Sequence, residues 1–320
     1  MGDVINTLPA LEAIRTAYPQ AFIGWMVEDR FQELLVGHPS VNCVHVFPRR
    51  KWQRSWRSAL PEFPRFLRGV RRARYDLVLD FQSNFKSAVQ GVLSGVPRRV
   101  GFGSGHCKER SHWFTNLHVF PRAGKLNRVE KNLAMAEFVG ASGAQAQYRL
   151  PSAPDSERRV NEFLLRMEIP SFAIIHPGSS ARGSSRRWKP DRFSALARRI
   201  GTELGLRTLV TWGPLEADLA DLVAGSSSGW AARALPTPSL LDLAELVRRA
   251  AFIVGCDTGP LRLASAVNTP SVTLYGPTDP VIYGPYSPSH RVVFRGVDIE
   301  VISVDDVFGA VTDLLPAVSR

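Results

Sequence analysis

Three stretches of this 320-residue chain carry side chains whose types and spacing suit the handling of a sugar diphosphate. The first is V-G-C-D-T-G-P-L-R-L-A-S-A-V-N-T-P-S-V-T-L-Y-G-P-T-D-P, residues 254–280. An apolar run ends at Cys256, the turn Asp257-Thr258-Gly259 follows, and Pro260 falls in the first turn of a helix, where a missing N–H costs nothing. The unbonded N–H groups of such a helix start offer a site to a phosphate. Asp257 would repel that phosphate, but it can accept a hydrogen bond from a sugar hydroxyl. From spacing alone, an Asp or Thr that merely caps the helix fits equally well. The second stretch is H-P-G-S-S-A-R-G-S-S-R-R-W-K-P, residues 176–190, after another apolar run. Ser179 and Ser180 offer hydroxyls, and Arg182, Arg186, Arg187 and Lys189 supply the charge a diphosphate needs. Gly-Ser composition alone favours a flexible, solvated basic loop. The third, T-W-G-P-L-E, places Glu216 just past a strand end, where a carboxylate commonly grips a ribose hydroxyl pair.

Those turns need strands to carry them, and the pattern supplies them. Short β-rich runs alternate with helical ones throughout, which predicts βαβ units and parallel sheets. Residues 21–27, 41–47 and 76–81 read as strands in the first half, with a basic helical stretch between the last two. In the second half 173–176, 207–211, 252–256 and 271–275 read as strands, separated by helices such as 192–204 and 240–250. L-P-S-A-P-D, from Leu150, breaks the pattern with two prolines, and a short helix is expected before I-P-S-F begins a new strand. Two domains follow, 1–152 and 153–302, and residues 303–320 form a closing helix whose Ser303 and Asp306 are spaced as a capping box.

Composition bounds the class. Hydrophobic content of 44% and charged content of 22% are globular, and no apolar run reaches the roughly 18 residues of a membrane span. The opening residues lack the regions of a signal peptide, and the three cysteines stand singly, so the expected compartment is a reducing cytoplasm. A net charge of +11 comes with six lysines and thirty-four arginines, which reads as much like coding bias as a binding surface. No nucleic-acid-binding signature accompanies it, so nucleic acid is not an expected partner, while an acidic glycolipid on a bilayer stays open. No G-x-G-x-x-G follows a strand, against a nicotinamide dehydrogenase. His106, Cys107, His112 and His118 are too irregularly spaced for a zinc cage.

The combination of D-T-G-P-L-x-L-A-x-A and Y-G-P-T-D-P with H-P-G-S, R-R-W-K-P-D-R-F and the opening G-D-V-I-N-T-L-P-A-L resembles the ADP-heptose:lipopolysaccharide heptosyltransferases of glycosyltransferase family 9 over nearly the whole chain. W-M-V-E at Trp25–Glu28 and D-F-Q-S-N-F-K-S at Asp80–Ser87 are more similar to the heptosyltransferase I group. The resemblance implies the GT-B architecture, two Rossmann-like domains facing across a cleft, with nucleotide sugar on the C-terminal domain and acceptor on the N-terminal one. It implies no cofactor and no metal.

Family members invert the anomeric centre in one displacement, and Asp3 matches their catalytic aspartate. A carboxylate at a helix start is kept ionised by the local dipole, at some loss of basicity. From local sequence alone Asp3 reads as a plain N-cap. Arg186 falls where the family often has lysine, and Arg262 where it frequently has histidine, so both are assigned to the donor, ADP-heptose, with Ser179, Ser180, Lys189, Glu216, Asp257, Thr258 and Gly259. The implied acceptor is a Kdo-lipid A type glycolipid, met by Lys86 and then by Arg49, Arg50 and Lys51. Trp52 and Trp56, one helical turn apart in R-R-K-W-Q-R-S-W-R, would suit peripheral contact with the inner membrane surface, although an ordinary amphipathic helix covering the sheet fits as well. The alternatives are a GT-B enzyme using another nucleotide sugar and a non-catalytic nucleotide-binding relative. The opening Gly-Asp turn and its amphipathic stretch follow no strand, whereas family members carry about ten apolar residues there, so a central strand upstream of Met1 is expected.

Overall fold

All strand pairs among the described residues of the computed structural model (1–54, 56–143, 146–178 and 187–314) are parallel. The chain divides into two units, 3–152 and 153–320.

The N-terminal unit runs α1 (Gly2–Ala17), β1 (Gly24–Glu28), β2 (Cys43–Phe47), α2 (Arg49–Arg54), α3 (Trp56–Arg72), β3 (Leu77–Leu79), α4 (Phe85–Leu93), β4 (Arg98–Phe102), β5 (Leu117–Val119) and α5 (Arg128–Phe138). Its strands form two sheets, β1-β2 and β3-β4-β5. Helix α1 is not the amphipathic element its pattern predicts: residues 5–13 are buried on every side, including Asn6, Thr7 and Glu12. Leu8 and Leu11 pack with Val27 and Leu35 beside β1, while Ala10 and Ala13 meet Ala136 of α5. The buried Glu12 carboxylate is met by the Ser40 hydroxyl at 2.5 Å and by Arg149 at 3.8 Å. Pro9 sits inside α1 and removes one intrahelical bond, to the carbonyl of Ile5.

The C-terminal unit runs α6 (Pro154–Met167), β6 (Phe172–His176), α7 (Pro190–Leu204), β7 (Arg207–Val210), α8 (Ala217–Gly225), β8 (Ala231–Arg233), α9 (Leu240–Arg249), β9 (Phe252–Cys256), α10 (Gly259–Ala266), β10 (Ser271–Tyr275), α11 (Pro280–Tyr283), β11 (His290–Phe294) and α12 (Val304–Thr312). Helix α6, at 14 residues, is longer than the short helix expected after the two prolines. One sheet in the order β11-β10-β9-β6-β7-β8 joins all six strands, so the order reverses between β6 and β9. Every residue of β6, β9 and β10 is buried, as strands covered by helices on both faces require. Ser303 and Asp306 form the anticipated capping box at the start of α12.

Candidate functional site

The reversal of strand order fixes where a ligand can be met. In an open parallel sheet, the chains leaving the two strands at such a reversal diverge and open a crevice at their carboxyl ends. Here those strands are β6, which ends in His176-Pro177-Gly178, and β9, which ends in Asp257-Thr258-Gly259; His176 lies opposite Gly255 in the register. The two richest motifs of the sequence therefore leave neighbouring strands at the switch point.

The start of α10 is open. Thr258 occupies the N-cap position, but its hydroxyl turns back to donate to the Cys256 carbonyl at 3.1 Å, and no side chain caps the helix. Pro260 has no N–H to satisfy. The capping reading of Thr258, allowed by spacing, is thus not what the side chain does. Asp257 accepts from Nη2 of Arg262, one turn further on, at 2.5 Å, and their side chains are only 7% and 9% exposed. Nη1 of Arg262 is buried and has no hydrogen-bond partner among the described residues; the hydroxyl of Thr278, in the turn after β10, is in the same position. A buried donor without a partner costs about 1–3 kcal/mol, so Arg262 is a cation with a donor in reserve beside an uncapped helix start. That arrangement suits an anion carrying several oxygens.

Glu216 lies beside the other motif. Its carboxylate accepts from the Gly213 N–H at 3.2 Å and from Nη2 of Arg187 at 3.1 Å. Gly178 leaves room for that carboxylate: a Cβ there would come within 2.1 Å of Oε2 of Glu216, and the flexible Glu216 side chain would have to move. The next residue after Arg187, Trp188, is fully buried and donates its indole N–H to the Ile302 carbonyl at 3.0 Å. Lys189 pairs with Glu300 at 3.2 Å. His176 is buried with Nδ1 3.0 Å from the Thr211 hydroxyl, and burial lowers its pKa to about 4, so the ring is neutral near pH 7. Ser179, Ser180 and Arg186 lie outside the described residues, as does Arg182.

In the N-terminal unit Asp3 stands in the first turn of α1 with its side chain exposed, where the positive end of the helix dipole favours a carboxylate. Its backbone carbonyl accepts from the Thr7 hydroxyl at 2.8 Å. Lys86 is exposed in the first turn of α4. This helix start is already occupied: Asn84 and Ser87 form a capping box, and the Phe85 N–H donates to Glu109 at 3.1 Å. An anionic acceptor would therefore be met there by the Lys86 ammonium, not by backbone N–H groups. Arg49 pairs with Glu28 and Lys51 with Glu62, while Arg50 is exposed.

Trp52 departs from the interfacial role its spacing allowed. It packs edge-on against Phe47 (centroids 4.7 Å apart) and Phe63 (5.7 Å), and its indole N–H donates to Glu62 at 2.9 Å. The side chain of Trp56 lies outside the described residues. Asp80, at the end of β3, drew no separate attention in the sequence, yet it is 7% exposed and one of its oxygens has no partner among the described residues. Burial raises its pKa. His118 faces the carbonyls of His112 and Thr115, at 3.0 and 3.1 Å, while Cys107 Sγ lies 3.2 Å from Nδ1 of His112.

The family model described as glycosyltransferase family 9 (heptosyltransferase) matches residues 63–300. Lipopolysaccharide heptosyltransferase 1 of Escherichia coli K12 is 29% identical over 301 residues, 91% of this chain and 90% of that protein. Lipopolysaccharide heptosyltransferase 1 of Pseudomonas aeruginosa PAO1 is 29% identical over 295 residues, 90% of this chain and 79% of that protein. Among solved structures, the E. coli heptosyltransferase WaaC with ADP superposes with a TM-score of 0.80 at 25% identity, over 98% of this chain and 97% of that one. With the parallel sheets described above, that likeness places the chain in the GT-B class, two Rossmann-like units.

Proposed function

The chain belongs to glycosyltransferase family 9, and from that premise we propose that this glycosyltransferase moves L-glycero-D-manno-heptose from ADP-heptose to the Kdo-lipid A inner core of lipopolysaccharide, inverting the anomeric carbon without a metal ion. The observation that carries the donor half is the open start of α10 with Nη1 of Arg262, which has no partner among the described residues, beside it at the switch point of the C-terminal sheet. The likeness to a heptosyltransferase solved with ADP supports an adenine nucleotide as the ligand there.

In this reading the α10 N–H groups and Arg262 take the β-phosphate, and the negative charge that grows on the departing ADP is offset by protein groups already in place. Glu216, beside the His176-Pro177-Gly178 turn, is the carboxylate this reading gives to a ribose hydroxyl. Asp3 takes the proton of the acceptor hydroxyl as that oxygen bonds to C1; the bond from C1 to the phosphate oxygen breaks, and its electron pair leaves with ADP. Departure of ADP runs ahead of attack in an oxocarbenium-like transition state, so a weak base suffices. Lys86, with Arg49, Arg50 and Lys51 behind it, meets the carboxylates and phosphates of the acceptor. The enzyme works in this reading at the cytoplasmic face of the inner membrane, and no described helix is long and apolar enough to cross it.

The test follows ADP release from ADP-heptose in the presence of Kdo-lipid A, with UDP- and GDP-sugars as controls. Asp3→Asn is expected to lower kcat by about 10²- to 10⁴-fold, the usual share of a general base, with ADP affinity unchanged. Turnover with a UDP- or GDP-sugar alone would refute the donor assignment, and full activity of Asp3→Asn would refute the base.

A further inference from the structure

Asp3 belongs to the first turn of α1, a helix whose own hydrogen-bond ladder is interrupted just downstream, where Pro9 removes the bond to the Ile5 carbonyl. What steadies this end comes from a distant segment. Asn132 of α5, 7% exposed, donates Nδ2–H to the Asn6 carbonyl at 3.0 Å and to the Thr7 hydroxyl oxygen at 3.0 Å. Thr7 in turn donates its hydroxyl hydrogen to the Asp3 carbonyl at 2.8 Å.

The direction of this chain of bonds is fixed. The Asn6 carbonyl can only accept, so the amide of Asn132 must turn its nitrogen toward α1. With the Thr7 hydrogen committed to Asp3, its oxygen must accept from Asn132. Asn6 and Thr7 are themselves 6% and 5% exposed, so water is a poor substitute for either partner. Helix α5 is a firm reference: Ala136 packs on Ala10 and Ala13 of α1, and Met135 packs with Val100, Phe102 and Val119 of the three-stranded sheet. An Asn127–Glu130 capping box closes its N-terminus.

We propose that Asn132 is a positioning residue for the reaction, and that through Thr7 it sets where the first turn of α1 holds Asp3. The inference rests on the assignment of Asp3 as base. A buried pair of polar residues of this kind holds a backbone in one place, and displacing a reacting group by about 1 Å can cost on the order of 10²-fold in rate.

The experiment compares Asn132→Leu, Thr7→Val and Thr7→Ser with the wild type and with Asp3→Asn, by steady-state kinetics and by ADP titration in the calorimeter. Leu and Val remove the donors at similar volume, whereas Ser keeps the hydroxyl. Asn132→Leu and Thr7→Val are expected to lower kcat roughly 10- to 100-fold, with donor KM and ADP affinity within about twofold. Thr7→Ser is expected to stay within about threefold of wild type, and Asn132→Leu on the Asp3→Asn background to lose nothing more. Should Asn132→Leu fail to fold, the Thr7 pair decides alone. Wild-type kcat in Thr7→Val, an equal loss in Thr7→Ser, or a further full-sized loss on the Asp3→Asn background would overturn the positioning role. If Asp3→Asn itself turns over normally, the base assignment falls first. If Asp3→Asn is inactive while the Asn132 and Thr7 variants are not, the base stands and only the positioning fails.

Discussion

Replacing Arg262 by methionine separates what this arginine does for the fold from what it does for the ligand. The guanidinium and the Asp257 carboxylate are 2.5 Å apart with side chains 9% and 7% exposed, so removing the cation leaves a carboxylate with little water to turn to. Breaking a buried pair from one side costs about 3–5 kcal/mol. For a unit the size of 153–320, each kcal/mol moves the melting temperature by about 2–4 °C, so Arg262→Met should lower it by roughly 6–20 °C. Asp257→Asn/Arg262→Met removes both charges and should recover most of that loss, since exchanging a whole buried pair is often near neutral. ADP binding should behave differently. A charge-assisted hydrogen bond contributes about 1.5–3 kcal/mol, so both variants should bind ADP about 10- to 150-fold more weakly than wild type. Differential scanning calorimetry and isothermal titration measure the two quantities on the same samples. If the double variant regains ADP affinity together with its melting temperature, Arg262 is structural and the phosphate assignment is wrong. A loss under 1 kcal/mol in Arg262→Met would refute the burial argument itself.

Two further outcomes follow from the same unit. Gly178→Ala puts a Cβ within 2.1 Å of Oε2 of Glu216, and the flexible carboxylate is what gives way, losing its Gly213 and Arg187 partners. Stability should fall by only about 1 kcal/mol, yet ADP should bind about as weakly as to Glu216→Ala, with no added effect when the two are combined; unchanged ADP affinity would remove Glu216 from the donor site. The buried His176 gives the protein an acid-sensitive window. Its pKa falls from 6.5 to about 4 on folding, so between those values the unfolded chain binds a proton that the folded one refuses. Stability is therefore lost as pH drops from about 6.5 to 4, by on the order of 3 kcal/mol for this residue, and the loss levels off below pH 4. His176→Gln should flatten that slope in denaturant titrations run across the window, and an unchanged slope would show that the imidazole titrates as if exposed.

What the sequence disclosed, and what it withheld, follows from how local each signal is. β9 and β10 read correctly to the residue because a parallel strand covered on both faces is an unbroken apolar run between turns. β4 (R-R-V-G-F) and β8 (A-A-R) escaped because arginines interrupt their runs, and β8 and β11 are edge strands, where burial is incomplete. α1 was legible as a helix but misread as amphipathic: the β1-β2 sheet covers one side and α5 another, and nothing in G-D-V-I-N-T-L-P-A-L announces how many neighbours will cover it. Asn132 could not have been singled out at all. A polar residue in a helix is unremarkable until the Asn6 carbonyl from the far end of the unit is placed against it.

The two helix starts show most sharply where local reading stops. Both α4 and α10 follow a parallel strand and a polar turn, and each begins beside a residue able to cap it, Asn84 in one and Thr258 in the other. By spacing they are equivalent anion sites. In the folded chain they are opposites: Asn84 turns onto the Ser87 N–H, and Glu109, from a loop 24 residues away, takes the Phe85 N–H, so α4 is closed to an anion. At α10 the Thr258 hydroxyl turns back to the Cys256 carbonyl, and the adjacent carboxylate, Asp257, is drawn onto Arg262. A hydroxyl rotation and an ion pair thus decide which helix dipole is left for a ligand. Under the proposed function the two units would then take different parts, with a backbone cradle for phosphate in the C-terminal one and long cationic side chains for an acidic glycolipid in the N-terminal one.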